Sequence, residues 1–292
     1  MPEVLASDLA LRQGVRRMRP LLGTYVEIGT TAGGRVAEAA LLRAFSCFDL
    51  AQRLWSFHDP ASELSRLNRA ACNGGGAEPV HPLTVRLLRL ARAMGRASDG
   101  LFNCTVGGRL VALGALPEHG GTCLEQGHAD DLVLGRARGT AFCRLARPLK
   151  ITLDGIAKGF TVDLAVAALR RAGLPGGWVN AGGDLRCFGD AALPVHRREM
   201  DGSLRLLGQL RNAAIASSRA SDMPDPAFPA RLIAQPETAL AAGVHSVLAR
   251  YAWRADALTK VASQLPAANR AERIHALGGH VLGPCPSTPP EN

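Results

Sequence analysis

The sequence predicts a fold that mixes α-helices and β-strands. An apolar, strand-like run at 149–153 meets a glycine turn, and a helical pattern then continues to Gly173. Amphipathic helical patterns also cover 36–57 and 81–98, whereas 21–28 alternates between apolar and polar residues as a strand does. At 292 residues the chain is long enough for one large domain or two.

The composition is that of an ordinary globular protein, with 47% apolar and 20% charged residues. Because no apolar run approaches the roughly 20 residues that a membrane span needs, we expect a soluble protein without a span. The net charge of +9 favours anionic ligands, but the arginines are scattered without stacking aromatics, so nucleic-acid binding is not expected. The charged, glycine-rich stretch 114–139 is expected to be an exposed loop.

The seven cysteines show no CxxC pair and no metal-finger spacing. An odd, dispersed set predicts mostly reduced thiols, as in a cytosolic protein. The first twenty residues lack the charged-then-apolar order of a signal peptide, and no lipobox is seen. We therefore expect a cytoplasmic protein.

The strand, turn and helix at 149–173 form the most informative stretch for function. A helix that starts directly after a glycine turn points its free backbone N–H groups at an anion, and Lys158 adds a positive charge. The Walker pattern GxxxxGK[ST] and the dinucleotide pattern GxGxxG are both absent here. From these residues alone, a plain βα turn with a solvated lysine remains an alternative.

Two motifs, LDGIAKGFTVD at 153–163 and WVNAGGDLRCFG at 178–189, resemble the central signature of the ApbE-type FAD:protein FMN transferases. They also stand at the separation typical of that family. The resemblance covers 18–283 and weakens in the C-terminal third. It implies a single α+β domain, a sheet-and-helix roll with FAD in a cleft, between a loose leader at 1–17 and a disordered tail at 284–292.

The resemblance also implies an activity. A Thr or Ser hydroxyl of an acceptor flavoprotein would attack the FMN phosphorus of the substrate FAD, with Mg²⁺ as cofactor and AMP as the leaving group. Two alternatives stay open: an Mg²⁺-dependent FAD pyrophosphatase, in which water replaces the hydroxyl, and a non-catalytic flavin-binding accessory protein. The oligomeric state is left open as well.

The family motifs carry site residues onto this chain. They imply catalytic roles for Asp256 and Lys158, and a magnesium site formed by Asp256, Thr259 and the carbonyl of Ala157. The residues implied to bind FAD are His58, Ser62, Glu63, Gly155, Lys158, Asn180, Gly182, Gly183, Asp184, Ser217 and Ser218. From the residues alone, Ser62 also predicts a helix N-cap, and the glycine pair predicts a tight bulge or hairpin.

Several positions depart from the family pattern. His58 stands where the family has Tyr, and Thr259 precedes Lys260, which occupies the position of the family's metal-binding Thr. The stretch 232–238 is the best placement for a motif whose His and Asp are missing here. The spacing also allows Lys260 to form an ordinary i,i+4 ion pair with Asp256. A lysine at this position could also substitute electrostatically for the metal.

Overall fold

A computed structural model describes residues 14–221, 232–236 and 238–283. Within these residues the chain forms seven α-helices: α1 (Arg35–Trp55), α2 (Glu63–Cys72), α3 (Pro82–Ala97), α4 (Gly107–Ala112), α5 (Ala157–Arg171), α6 (Ala252–Ala262) and α7 (Ala267–Ala276). It also forms twelve strands: β1 (Arg16–Leu21), β2 (Thr24–Thr30), β3 (Glu78–Pro79), β4 (Leu132–Ala137), β5 (Thr140–Leu145), β6 (Gly176–Ala181), β7 (Asp184–Gly189), β8 (Ala192–Arg198), β9 (Leu204–Arg211), β10 (Ala214–Ala220), β11 (Gly243–Ala249) and β12 (Gly279–Leu282).

A seven-stranded sheet is the central layer, with the order β1-β2-β6-β7-β10-β11-β12. Every neighbouring pair in it is antiparallel. A three-stranded sheet, β3-β5-β4, and the hairpin β8-β9 lie beside it. Antiparallel sheets combined with separate helices are the α+β arrangement that the sequence predicts.

Both faces of the central sheet are covered. On one face, Ile28 of β2 and Val179 of β6 pack against Phe45 of α1 and Val166 of α5. On the other face, Trp178 and its neighbours pack against the β8-β9 hairpin. The largest apolar cluster joins α2, α3, β5 and α6 beneath the turn that precedes α5. No helix in the described part of the chain is long and apolar enough to cross a bilayer.

Two predicted boundaries can be compared with the fold. Strand β1 begins at Arg16, two residues before the predicted start of the domain. The predicted leader and tail otherwise lie at 1–13 and 284–292, outside the described residues, and stay predictions. The prediction of an exposed loop over 114–139 is wrong for the last part of that range. There β4 pairs with β5, and Leu132 is buried.

Helices α5 and α6 approach each other closely at a glycine. A Cβ atom on Gly159 would lie 2.4 Å from the carbonyl oxygen of Ala252, so no larger residue fits without a shift. The carboxylate of Asp163 accepts hydrogen bonds from the backbone N–H groups of Ala252 and Trp253, at 3.1 and 3.0 Å. Asp163 therefore caps the start of α6 and holds it against α5.

A disulfide joins Cys72 at the end of α2 to Cys123, with the two Cα atoms 5.4 Å apart. The expectation of mostly reduced thiols therefore needs correction for this pair, although Cys47, Cys104, Cys143 and Cys187 are free. The two bonded cysteines are 51 residues apart in the sequence, which is why no short spacing pattern predicts them.

We expect Gly159→Ala to lower the free energy of unfolding by about 1–3 kcal/mol, the usual cost of forcing extra volume into a packed contact. Thermal unfolding monitored by circular dichroism measures the change. Gly155→Ala is the matched control, because its new Cβ would meet its nearest neighbour at an ordinary 3.4 Å. Equal destabilisation by the two variants would contradict the close approach of α5 and α6.

Opening the disulfide should lower the melting temperature, because the cross-link restricts the unfolded chain. For a separation of 51 residues, the loop-closure model gives about 4 kcal/mol. Cys72→Ser should therefore melt below the parent protein without reductant, whereas the free Cys47 provides a control in Cys47→Ser. If reductant does not change the melting temperature of the parent protein, the Cys72–Cys123 disulfide is not formed.

Candidate active site

Five charged side chains meet where the turn before α5, the start of β7 and the middle of α6 come together. They are close enough for the charge of one side chain to shift the pKa of another. We call this set the charged cluster; its members are Asp154, Lys158, Asp184, Asp256 and Lys260. The first four belong to segments that the family motifs single out.

Lys158 forms an ion pair with Asp184. The Lys158 Nζ atom lies 3.3 Å from Asp184 Oδ2; the lysine side chain is 34% exposed and the aspartate side chain only 3%. Burial, followed by the nearby charge of Asp256, raises the pKa of Asp184 to about 6, although the lysines oppose this. The charge of Asp184 in turn raises the pKa of Lys158, which keeps its ammonium protonated.

Lys260 forms the second ion pair of the cluster. Its ammonium donates to Asp256 Oδ1, one helical turn earlier, and to the Ser218 hydroxyl at 3.0 Å. The other oxygen of Asp256 accepts from the backbone N–H of Gly159 at 3.2 Å. The Ser218 and Thr259 hydroxyl oxygens are 2.7 Å apart, and Thr259 donates to the Asp256 carbonyl. The i,i+4 pair that the spacing allows is therefore formed.

The three predicted magnesium ligands come near one another, but their oxygen atoms are already engaged. The Asp256 side chain is fully buried, with both carboxylate oxygens in hydrogen bonds. The Ala157 carbonyl accepts from the Thr161 hydroxyl at 2.7 Å, and the Thr259 hydroxyl is paired as described. Mg²⁺ needs carboxylate oxygens that face water or phosphate. As arranged, these residues do not fit the ion.

Charge repulsion acts against magnesium as well. Two unit charges 4 Å apart repel by about 4 kcal/mol at an effective dielectric constant of 20, and a dication doubles that cost. An ion on the carboxylate of Asp256 would meet this repulsion from the ammonium of Lys260. Among the residues that the structure describes, no group of three His, Cys, Asp or Glu side chains could hold a metal ion.

The predicted glycine bend lies between β6 and β7. Gly182 and Gly183 have φ angles of 61° and 101°, which favour glycine, and a Cβ on Gly182 would lie 2.6 Å from Thr24 Oγ1. Asn180 Oδ1 accepts from the N–H of Gly183 at 3.1 Å. The tight bend that the residues alone predict is present, and it sets Asp184 at the start of β7.

Two other predicted residues, Gly155 and His58, also lie beside the cluster. Gly155 is part of the turn before α5, where a Cβ would be 3.5 Å from Lys260 Cε. His58 is exposed, and its charge acts on Asp154. These positions are compatible with contact to a ligand that lies on the cluster.

Two predicted FAD-binding side chains, those of Ser62 and Glu63, are used elsewhere in the fold. Ser62 caps α2 through the N–H of Ser65, as the residues alone predict. Glu63 is buried beside α3, where it accepts from the backbone N–H of His81 and the hydroxyl of Thr84. Their side chains serve the α2–α3 packing, so contact with FAD finds no support in the geometry.

Ser217 and Ser218 point to opposite faces of the sheet, because consecutive residues of a strand alternate. Ser218 joins the charged cluster, whereas the Ser217 hydroxyl pairs with that of Ser246 at 2.8 Å on the far face. FAD binding by Ser217 therefore stays a prediction that this geometry does not support, and the two-residue period of β10 alone indicates that the two hydroxyls lie on different faces.

From the sequence, Lys260 is a departure from the family pattern, which allows either a simple ion pair with Asp256 or an electrostatic substitute for the metal. A compositional signal marks it: of the 34 basic residues, only Lys150, Lys158 and Lys260 are lysines, and the others are arginines. Two of these three lysines lie in the charged cluster, whereas Lys150 pairs with Glu118. In a chain that uses arginine almost throughout, lysine marks positions where a compact ammonium is needed.

Comparison with known proteins agrees with this fold and these motifs. A family model described as the ApbE family matches residues 22–280. A curated FAD:protein FMN transferase from Rhodobacter capsulatus is 30% identical over 211 residues, which are 64% of this chain and 39% of the relative. The chain therefore spans well under half the length of that relative.

Solved structures share the architecture. The apo flavinyl transferase ApbE of Pseudomonas stutzeri has a TM-score of 0.71 at 18% identity, covering 89% of this chain and 87% of its own. The ApbE protein of Thermotoga maritima has a TM-score of 0.74 at 19% identity, covering 92% and 93%. At these identities the structures establish the fold alone. Because the family model matches most of its length and includes both motifs, the chain belongs to the ApbE family.

Proposed function

We propose that the protein is a flavin transferase, which takes FMN from FAD and attaches it to a Thr or Ser hydroxyl of an acceptor flavoprotein. Family membership and the activity named for the Rhodobacter capsulatus relative support this function. The observation that carries it is the placement of Lys158. Its ammonium stands at the start of α5, held by a buried carboxylate and still one-third exposed to a ligand.

This chain's residues can bind and neutralise a diphosphate. The first turn of α5, a 15-residue helix, presents the positive end of its dipole, and Lys158 adds a full charge. Asp184 holds Lys158 in place, and at Gly183, just before Asp184, nothing lies within 4 Å of the place that a Cβ would take. In the proposed complex, the diphosphate of FAD lies on these groups, because its charge matches theirs.

In the proposed reaction, the acceptor hydroxyl oxygen forms a bond to the FMN phosphorus. The bond from that phosphorus to the bridging oxygen breaks, AMP leaves with that oxygen, and the hydroxyl proton is released. Fixed positive charge stabilises the negative charge that develops on the phosphate oxygens. The contribution of this chain is therefore positioning and neutralisation. Because the predicted ligands do not fit Mg²⁺, we derive no step through the metal, which stays an expectation from the resemblance.

One observation favours a second candidate, a protein that binds FAD without transferring FMN. Asp256, the predicted catalytic carboxylate, is fully buried, and both of its oxygens are engaged. The reaction products distinguish this binding protein from a transferase and from the pyrophosphatase that the sequence also allows. A transferase releases AMP only when it modifies an acceptor. A pyrophosphatase releases AMP and free FMN without an acceptor, and a binding protein leaves FAD intact.

A cytoplasmic location, which the sequence predicts, remains a proposal. The structure contributes one observation against it: the Cys72–Cys123 disulfide is a bond that oxidising compartments favour.

With FAD and a flavoprotein subunit that carries a Thr or Ser acceptor, we expect AMP release together with covalent flavin on the subunit. Chromatography measures AMP, and in-gel fluorescence after denaturing electrophoresis measures the bound flavin. Lys158→Met should lower the rate by roughly 10²-fold, because it removes a charge aimed at the diphosphate. Arg53→Met, which removes an exposed charge on α1, is the control. Equal rates in both variants would contradict the role of Lys158.

FAD should bind more tightly below about pH 6. The pKa of Asp184 is raised to about 6, so its carboxyl is neutral below that pH and repels the diphosphate only above it. Titration calorimetry at about pH 5 and about pH 7.5 should give a several-fold difference in Kd, which Asp184→Asn removes. Asp201→Asn, at an exposed position away from the cluster, should keep it. An Asp184→Asn protein with an unchanged pH dependence would contradict this assignment.

A further inference from the structure

We infer that the ammonium group of Lys260 is the resident cation of the charged cluster, and that the protein therefore binds the diphosphate of FAD without a divalent metal ion. This inference rests on the proposed function, since it names the group that takes the metal's place at the same site. It departs from the Mg²⁺ dependence that the sequence resemblance implies.

The contacts of Lys260 are those of a bound cation. Its Nζ atom bonds to the carboxylate of Asp256 and to the hydroxyl oxygen of Ser218, both of which are oxygen ligands. Ser218 is in turn paired with Thr259, the neighbouring hydroxyl on α6. Lysine has three N–H donors, and partners among the described residues occupy two of them. One donor is left for a ligand.

Lys260 is also placed where a diphosphate would lie. A Cβ on Gly155 would lie 3.5 Å from the Cε atom of Lys260 and 3.6 Å from its Cγ atom, so the lysine side chain runs over the turn that begins α5. Its side chain is 20% exposed, and its charge acts on Asp184, the partner of Lys158. Both ammonium groups therefore stand at the first turn of α5, in reach of one bound anion.

The carboxylate beneath Lys260 is held in a geometry that suits an ammonium. Asp256 has no accessible surface, and the N–H of Gly159 fixes the oxygen that does not contact Lys260. Asp163 holds α5 against the start of α6, and the absence of a side chain at Gly159 lets its N–H lie this close to Asp256. A metal ion on Asp256 would have to displace Lys260 or the N–H of Gly159, because both carboxylate oxygens are engaged.

The choice of lysine supports the same conclusion. Among 34 basic residues, position 260 is one of only three that are lysine. An ammonium is a compact point charge with three rotatable donors, whereas a guanidinium is planar and needs partners in its own plane. An ammonium can therefore take the place of a small ion between a carboxylate and a hydroxyl and still turn its third donor to a phosphate oxygen.

The test compares FAD binding in excess EDTA with binding in millimolar MgCl2, by titration calorimetry on the metal-stripped full-length protein. The parent protein should give the same Kd in both buffers, within about twofold. In EDTA, Lys260→Met should weaken binding by at least about tenfold, because the carboxylate of Asp256 is then uncompensated. ADP, titrated in parallel, should show the same pattern, because it carries the diphosphate without the flavin.

Two controls keep the test decisive. A thermal melt of each variant shows that it is folded, and Lys260→Arg keeps the charge but should not restore full affinity, because the guanidinium is planar. Magnesium that tightens FAD binding to the parent protein by about tenfold or more would overturn the inference and leave the proposed function standing. Lys260→Met that binds FAD as tightly as the parent protein in EDTA would also overturn it. An absence of FAD binding in either buffer would overturn both.

Discussion

The contact between the first turns of α5 and α6 is the constraint on which the site depends. Gly159 brings the two backbones together, and Asp163 caps α6 so that it starts at this point. Asp256 then lies under the N–H of Gly159, and Lys158 is one residue away on the same turn. Two helices far apart in sequence thus present opposite charges to one small region. A shift of either helix would separate these charges.

Four charges of the cluster are matched in pairs, Lys158 with Asp184 and Lys260 with Asp256, whereas the fifth member, Asp154, accepts a hydrogen bond from the Thr152 hydroxyl. Both paired aspartates are almost fully buried, and both lysines keep part of their surface exposed. Isolated buried carboxylates would be costly, so each lysine offsets the burial of its partner. Within the two pairs, the positive groups face solvent more than the negative groups do, although Asp154 is exposed. The polarity of the two pairs suits an anionic ligand, such as the diphosphate in the proposed function.

Part of this picture could be predicted from the sequence. The strand, turn and helix around Lys158 and the helix that carries Asp256 follow from hydrophobic periodicity and the position of glycines. The motifs also pointed to Asp184. Other features depend on distances that no local pattern contains. Cys72 and Cys123 meet across 51 residues. Strand β4 forms in a charged stretch because β5 lies beside it.

Side-chain roles were harder to predict than elements. The segment around Ser62 and Glu63 was placed correctly next to a helix start, but its polar groups satisfy the ends of α2 and α3. The sequence allows two roles for Lys260, a simple ion pair with Asp256 and an electrostatic substitute for the metal, and does not decide between them. The structure adds Ser218, on a distant strand, at 3.0 Å from its ammonium. The spacing of residues within one helix cannot predict a hydrogen-bond partner that comes from another element.

A crystal structure of the complex with FAD, grown in the presence of Mn²⁺, tests the central claim most directly. Mn²⁺ can occupy magnesium sites, and its anomalous scattering shows where it binds. We expect the diphosphate to lie against the ammonium groups of Lys158 and Lys260, with the Lys260–Asp256 pair intact and no anomalous peak beside Asp256. An anomalous peak bonded to Asp256, with Lys260 turned away from it, would contradict the role of Lys260 as the cation of the site.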